Sequence, residues 1–508
     1  MRTLSFSEPR EPIPCSFINA ILEHNLFLTP RIQVLRLRIS SETGLRLLPA
    51  LLTPELTDIS LSLDEDLYVF DRPENLGDLI KSTYMTIFQC APKLVHFSVA
   101  DLHEALPSLP LPMIPSPDHM HTGFLQSLTH AAFYATADSL PQILDLVSQL
   151  HKLENLTIQA RERPFEEIPR LSSLKPGTFS SLKNLTLGGS PEAINRICCA
   201  FPANRAIQSA TLRMRGFYSN ADVALVFYGL VAAASKESLR KIVMTSVLSR
   251  NDLAQWDADS GIDTHQFMLD ISAIEPALQF PSIEIFSVCL GIPLYLTDED
   301  HLRIAQAWRS VQLLYLSSIV QRVVTAHRPP ASMASLVHYA QHCHRLKALG
   351  LCLDASTQAS IEACMHAVDG CDGSEGSLSL PSPSIQMVEF GPSWVECNFD
   401  PVHVASLAKA FTRLFSNIAA CRACRTEELG VPQAAWTWMK VQTLYEYILF
   451  TSPGRKVNTT QNSWKLRLFS KVSCIWLSRC RLLDRISSGP QITVRTMKRW
   501  PWRPLDHE

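Results

Sequence analysis

The stretch TDEDHLRIAQAWRSVQLLYL, residues 297–316, predicts one helix followed by one strand. Thr297 is a suitable helix N-cap, and the three acidic residues after it complement the helix dipole in the first turn. Apolar residues then recur at helical spacing as far as Trp308. From Val311 onward the pattern changes to apolar-x-x-apolar-x-apolar, whose last residues alternate as in a half-buried strand. We expect the chain to be built from units of this kind.

The strand half of this unit recurs along most of the chain. Its 12 occurrences begin 24 to 44 residues apart, and helical patterns precede most of them. Alternating helices and strands imply parallel strands joined by right-handed crossovers. A closed parallel barrel has eight strands, so 12 favour an open solenoid. The occurrences begin at Ile32, Leu56, Leu94, Leu128, Leu153, Leu182, Ile207, Leu239, Ile283, Val311, Leu346 and Ile385.

The L-x-x-L-x-L core of the pattern resembles leucine-rich repeats. The short helix-to-strand connectors at 89–94 and 341–346, and the string from Leu296 to Leu316, are similar to those of F-box/leucine-rich-repeat proteins of basidiomycete fungi. The resemblance covers residues 30–415. It implies an α/β, right-handed solenoid with parallel strands on the concave face and helices on the convex face.

The resemblance also implies a function in protein recognition. In that family an N-terminal F-box docks the adaptor of a cullin ubiquitin ligase, and the repeats hold the substrate. This chain has no recognisable F-box before its first predicted strand. We therefore expect a protein partner on the concave face, with substrate recruitment to a cullin-type ligase as the specific form that the family suggests.

Changes of composition divide the chain into four predicted parts. Residues 1–29 form an N-terminal segment or cap, and residues 30–415 form the solenoid, with loop insertions near 105–118 and 369–384. Helices are expected over 416–452, where they would cap the open end of the core. Residues 453–508 form a tail with 12 Lys or Arg and 3 Asp or Glu.

The basic tail supports two interpretations. It also contains four tryptophans, and basic sequence with interleaved aromatic residues binds nucleic acid or anionic surfaces in other proteins. The alternative function is thus a repeat scaffold or adaptor that uses this tail. The other interpretation, which we favour, is disordered or misannotated sequence, so a nucleic-acid partner is not expected.

Composition limits the compartment and the class of protein. The chain has 508 residues, of which 46% are hydrophobic and 19% charged, and a formal net charge of −2, so it can bury a large core. Its N-terminus lacks the apolar region of a signal peptide. The longest apolar run, Val223–Ala234, is too short to span a bilayer. Fourteen cysteines without a signal peptide indicate reduced thiols in the cytoplasm or nucleus.

The sequence contains no motif of a known catalytic or cofactor site. It lacks a P-loop, a dinucleotide-binding glycine pattern, a zinc-protease motif and a nucleophile elbow. His338 and His342 lie four residues apart on a predicted helix, which is a zinc-ligand spacing, but the adjacent Cys343 is better explained as a packing residue. Cys421 and Cys424 lack a second pair. We predict no enzyme, no cofactor and no metal.

The candidate partner-binding residues are those between the core positions of each strand, because alternate side chains of a strand point to opposite faces. Guanidinium groups bind carboxylates through two hydrogen bonds, so Arg36 with Arg38 and Arg213 with Arg215 are the expected anchors for an acidic partner. Tyr315 is the outward residue of the opening unit and completes the predicted set.

Overall fold

The computed structural model describes residues 3–7, 31–39, 41–63, 86–101, 126–135, 140–160, 178–215, 218–247, 269–290, 294–318, 329–355, 358–372, 387–390 and 420–423, with single residues or pairs at 20, 82–83, 385, 406, 408, 410 and 414. The chain divides into two compact units, Met1–Tyr445 and Glu446–Glu508. All described residues belong to the first unit. The insertion near 105–118 and the tail 453–508 lie outside the described residues.

The strands of the described residues form one sheet in which every neighbouring pair is parallel and the spatial order is the order in sequence. Each repeat therefore adds one strand to the edge of the last, and the sheet stays open. The predicted α/β solenoid is confirmed. The strands are β1 Thr3–Ser7, β2 Val34–Ile39, β3 Asp58–Leu63, β4 His96–Asp101, β5 His130–Ala135, β6 Asn155–Ala160, β7 Asn184–Gly189, β8 Ser209–Arg215, β9 Lys241–Val247, β10 Ile285–Leu290, β11 Leu313–Ser318, β12 Ala348–Leu351, β13 Met387–Phe390 and β14 Ala420–Ala423.

Helices connect many of the strands and bury their apolar side against the sheet. Residues 86–90 are also helical. Helix α8 includes residues 369–372, which the sequence placed in a loop insertion. The helices are α1 Glu42–Leu51, α2 Leu140–Ser148, α3 Pro191–Ala200, α4 Asn220–Ala233, α5 Ile271–Ile274 with a 3-10 turn at Glu275–Gln279, α6 Asp298–Ala307, α7 Ser335–His342 and α8 Gln358–Asp372.

The opening unit folds as its sequence predicts. The Thr297 hydroxyl accepts a hydrogen bond from the Asp300 N–H (3.2 Å), and the Asp300 carboxylate accepts one from the Thr297 N–H (2.9 Å). This reciprocal capping box starts α6. Trp308 is fully buried, with its ring centroid 4.2 Å from that of Phe286 on β10. The helix of this unit and Trp308 therefore contribute to the core.

A repeated hydrogen-bond pattern fixes the register where each strand begins. The Glu284 carbonyl, for example, accepts the successive N–H groups of Gln312 and Leu313 at 2.7 and 3.1 Å. The same two-donor arrangement recurs from the Gln33 carbonyl to the Gln312 carbonyl. Because the pattern belongs to the backbone, it holds the strands in register although the segments between them differ in length.

Two strands lie outside the range predicted for the solenoid. β1 lies within the predicted N-terminal segment 1–29 and pairs with β2. β14 pairs with β13 at residues 420–423, where the sequence predicted a helical cap. These four residues are a strand and not a helix, because pairing to the preceding strand edge overrides the weak strand propensity of Ala420-Cys-Arg-Ala. The rest of 416–452 lies outside the described residues.

The length and hydropathy of the helices bear on membrane insertion. Within the described ranges, no helix is both long and apolar enough to cross a bilayer. α4 has the most apolar sequence but ends at Ala233 after 14 residues, fewer than the roughly 20 that a span requires.

Candidate interaction surface

One face of the sheet carries the surface from which function can be argued. On β6 and β10, side chains alternate strictly between half-buried and buried positions. The buried set packs against the helices, as Leu156 and Ile158 do on β6. We call the other set, at alternate positions of β2–β13, the open face. It is the surface that the sequence predicted as concave.

The strand register arranges the open face in parallel rows that cross the sheet. The first row runs through Asp58, His96, His130, Asn155, Asn184, Ser209, Lys241, Ile285, Leu313, Ala348 and Met387. The middle row runs through Arg36, Ser60, Ser98, Ala132, Thr157, Thr186, Thr211, Val243, Ser287, Tyr315 and Gly350.

Four side chains of the first row form a hydrogen-bonded polar ladder, comprising His96, His130, Asn155 and Asn184. The His96 and His130 rings stack with centroids 4.0 Å apart. The Asn155 amide N–H donates to Nε2 of His130 at 2.7 Å. The Asn184 amide donates in turn to Oδ1 of Asn155 at 2.6 Å. The ladder joins four consecutive strands through their side chains.

The ladder fixes the protonation of His130. Because Nε2 accepts from Asn155, the ring proton lies on Nδ1, which is 2.8 Å from the Thr129 hydroxyl. Burial lowers the pKa of His130, and nearby His96 lowers it further, while Glu154 and Asp58 act in the opposite direction. His130 is thus neutral at pH 7. At His130, the ladder therefore presents a neutral hydrogen-bonding group.

The predicted arginine anchors lie on the open face but do not form one site. Arg36 and Arg38 are exposed on β2, and Arg213 is exposed on β8. Arg215 is also on β8, but its side chain lies outside the described residues. Six strand spacings separate β2 from β8, which is about 29 Å across the sheet. Arg36 and Arg213 are therefore too far apart to bind the same carboxylate.

Tyr315 lies flat on the open face across the neighbouring strand. A Cβ atom at Gly350 would be 2.3 Å from the Tyr315 ring, so β12 has room for the ring only because this residue is glycine. The Tyr315 hydroxyl reaches to 3.9 Å from the sulfur of Met387 on β13. The predicted partner-binding tyrosine is therefore half-buried and positioned by its own repeat neighbours.

Around Tyr315 the open face changes from polar to apolar. We call the half-buried side chains Val243, Ile285, Leu313, Tyr315 and Met387 the apolar patch. In the first row, Ile285 lies beside Leu313, and Ala348 then connects Leu313 to Met387. Sequence reasoning missed both this patch and the polar ladder. The sequence does contain the information needed to find them. The first row consists of the residue just before the second apolar position of each repeat, so its polar and apolar members can be read from the repeat pattern.

Charged side chains at the start of the strands mostly pair between repeats. Lys183 bonds Glu154 at 2.8 Å, and Arg240 bonds Glu284 at 2.6 Å. The hydrogen bond from Lys183 lowers the pKa of the Glu154 carboxyl. Such exposed pairs stabilise little, but they neutralise this edge. Its charges are thus less available to a partner than Arg36 or Arg213.

A buried polar network lies between α6 and α7, away from the open face. Nδ1 of His301 is 2.7 Å from the Tyr339 hydroxyl, and both residues are buried. The Asp298 carboxylate accepts hydrogen bonds from the N–H and hydroxyl of Ser332 and from the Ser335 hydroxyl. With these partners the network satisfies its polar groups internally, so we assign it a structural role.

The two histidines with zinc-ligand spacing, His338 and His342, belong to the same region. Burial lowers the pKa of both His338 and His342. Cys343 is fully buried with its thiol 3.6 Å from the carbonyls of Ala305 and Trp308, in keeping with a packing residue. Within the described part of the chain, no cluster of three or more His, Cys, Asp or Glu residues is placed to hold a metal ion.

Comparison with known proteins gives similarity at the level of solved structures alone. No family model and no curated protein matches the sequence. The yeast Rad7–Elc1 complex matches with 15% identity over 69% of this chain and 76% of that chain, at a TM-score of 0.35. The leucine-rich-repeat protein LegL7 of Legionella pneumophila matches with 11% identity over 88% and 98%, at a TM-score of 0.28. At these TM-scores neither structure assigns a family or a function to this chain.

Proposed function

We propose that the chain is a non-catalytic recognition protein whose open face binds a protein partner. The observation that carries the proposal is the open face itself. On strands such as β6, β8, β10 and β11, alternate side chains are half-buried or exposed there, while the intervening ones are buried in the core. Stacked repeats of this kind build one extended surface from many short strands.

The chemistry of the open face favours a polypeptide over a nucleic acid. The cations of its described side chains are Arg36, Arg38, Arg213 and Lys241, spread over eight strands. A phosphate backbone requires a denser basic stripe. Neutral donors and acceptors of the polar ladder and the small hydroxyl side chains of the middle row instead match the peptide groups and polar side chains of a protein segment.

Position-specific photocrosslinking tests this proposal. A benzophenone amino acid is placed at Ser98 or Thr157 on the open face, or at Glu192 or Gln306 on the exposed side of α3 or α6. In extract from the source cells, we expect the two open-face positions to yield the same discrete adducts and the helix positions to yield none of them. Equal adducts from both faces, or adducts from the helices alone, would refute an open-face function.

A more specific form of the proposal is substrate recruitment to a cullin-type ubiquitin ligase. It is supported by the sequence resemblance to F-box/leucine-rich-repeat proteins, since these combine a recognition solenoid with an adaptor-binding element. The test is a pull-down of the ligase adaptor with the full chain. Stoichiometric adaptor binding would support the ligase role. If the adaptor does not bind, the ligase role is wrong, but the proposed recognition of a protein by the open face is unaffected.

A further inference from the structure

The apolar patch has a charged border on one side. In the first row, Lys241 on β9 is paired in register with Ile285. Arg213 on β8 is paired in register with Thr245 of β9, in the row that follows the middle row. Among the described residues, neither cation has a hydrogen-bond or ion-pair partner, whereas the neighbouring Arg240 is held by Glu284. Two available cations thus stand at the edge of an apolar surface.

The patch is not explained by the packing of the core. Leu314 and Leu316 fill the core from β11, while Leu313 and Tyr315 point to the opposite face. Corresponding first-row positions on β3–β7 are polar, from Asp58 to Asn184. A solvated strand face is ordinarily polar, so apolar side chains confined to one end of it indicate a contact with another apolar group.

We infer that β8–β13 form a docking site for a linear protein segment that carries an acidic residue and, a few positions away, a large aliphatic or aromatic residue. This inference rests on the proposed function and identifies the partner's chemistry. A carboxylate of the segment bonds Arg213 or Lys241. Its apolar side chain packs on Leu313 and against the Tyr315 ring.

The strand spacing sets the spacing of the two groups in the partner. β8 and β11 are three strands apart, which is about 14 Å, and β9 and β11 are two apart, about 10 Å. An extended segment that crosses the strands advances about 3.4 Å per residue. Lys241 and Leu313 share the first row, so a carboxylate on Lys241 lies about three positions from the apolar residue. Arg213 lies farther along its strand, at the level of Thr245, so a carboxylate on Arg213 lies about six positions from it.

A random 12-residue peptide library displayed on phage provides the test, with the full chain as target. The motif of the enriched peptides is read by sequencing, and their affinities are measured by fluorescence polarisation. We expect an acidic residue about three positions from an aliphatic or aromatic residue where it bonds Lys241, or about six positions from it where it bonds Arg213. Arg213→Glu and Leu313→Ser should each weaken binding by about tenfold or more, with unchanged circular dichroism and melting temperature.

Arg36→Glu is the matched control, because it makes the same charge reversal on the same face six strands away. Binding that survives Arg36→Glu but not Arg213→Glu supports the site. Enriched peptides that lack the motif, equal sensitivity to both reversals, or no enrichment would overturn it. Peptides that depend on Arg36 alone would leave open-face recognition intact while removing this site. Binding of a single-stranded oligonucleotide that competes with the peptides would also overturn it, in favour of a polyanion.

Discussion

Acid is expected to destabilise the region around α6 and α7, because His301 is buried there as a neutral imidazole. The side chain is 2% exposed, and burial lowers its pKa to about 4, although Asp298 and Asp300 act to raise it and His338 lowers it further. In the unfolded chain its pKa returns to about 6.5. Between these values the unfolded state binds more protons than the folded state. Stability is therefore complete above pH 6.5 and is lost as the pH falls toward 4.

The size of this loss follows from the two pKa values. The interval from 6.5 to 4, at about 1.4 kcal/mol per unit, gives at most about 3.5 kcal/mol, of which about 3 kcal/mol is lost by pH 4. A repeat array opens locally, so the assay is amide hydrogen exchange of peptides covering α6 and α7, corrected for intrinsic exchange rates. We expect the free energy of opening to fall by up to about 3 kcal/mol between pH 7 and pH 4.

Two variants separate His301 from the other groups that titrate in this range. His301→Gln retains a hydrogen-bonding side chain without a titrating ring, so the acid-dependent loss should shrink by most of that amount. His151→Gln removes an exposed histidine and should keep the wild-type pH dependence. If His301→Gln and the wild type lose the same free energy on acidification, His301 is not the group responsible.

Three further predictions concern the opening unit, the thiols and the tail. Thr297→Ala should cost about 1 kcal/mol of helix stability, because it removes the cap to the Asp300 N–H. Thr297→Ser should cost much less, because it keeps the hydroxyl. Urea unfolding measures both losses, and equal losses would contradict the capping role. Cys199 is exposed, whereas the adjacent Cys198 is fully buried and its pKa is strongly raised by burial. A maleimide should therefore label Cys199 in the native protein and Cys198 only after denaturation. Peptide mass mapping identifies the labelled cysteine. Deleting 453–508 should leave the melting temperature and heparin binding unchanged, and a loss of heparin binding would favour the binding-arm alternative.

The strands were predictable because each buries apolar side chains at fixed spacing. All 12 occurrences of the pattern coincide with β2–β13, since a residue such as Leu35 must face the core whatever the loop before it does. β1 and β14 were not predictable in this way. Thr3–Ser7 and Ala420–Ala423 are short, and their strand form depends on pairing with a neighbouring edge.

The candidate surface was less predictable than the fold, because it depends on register across many strands. Period-two alternation correctly placed Arg36, Arg213 and Tyr315 on one face. It did not reveal that His130 would meet Asn155, since 25 residues separate them. Nor did it reveal that Gly350 would leave room for the Tyr315 ring. Such contacts arise from the backbone hydrogen bonds that align successive repeats.

The change of chemistry along the first row is the strongest reason to locate function on the open face. The solenoid needs apolar residues at the buried positions, but its backbone pairing is indifferent to whether an outward residue is His130 or Leu313. The fold therefore accounts for neither the polar ladder over β4–β7 nor the apolar patch over β9–β13. An apolar side chain such as Leu313 gains from burial only if something covers it. A partner segment that spans both regions would meet hydrogen-bonding groups at one end and apolar groups at the other.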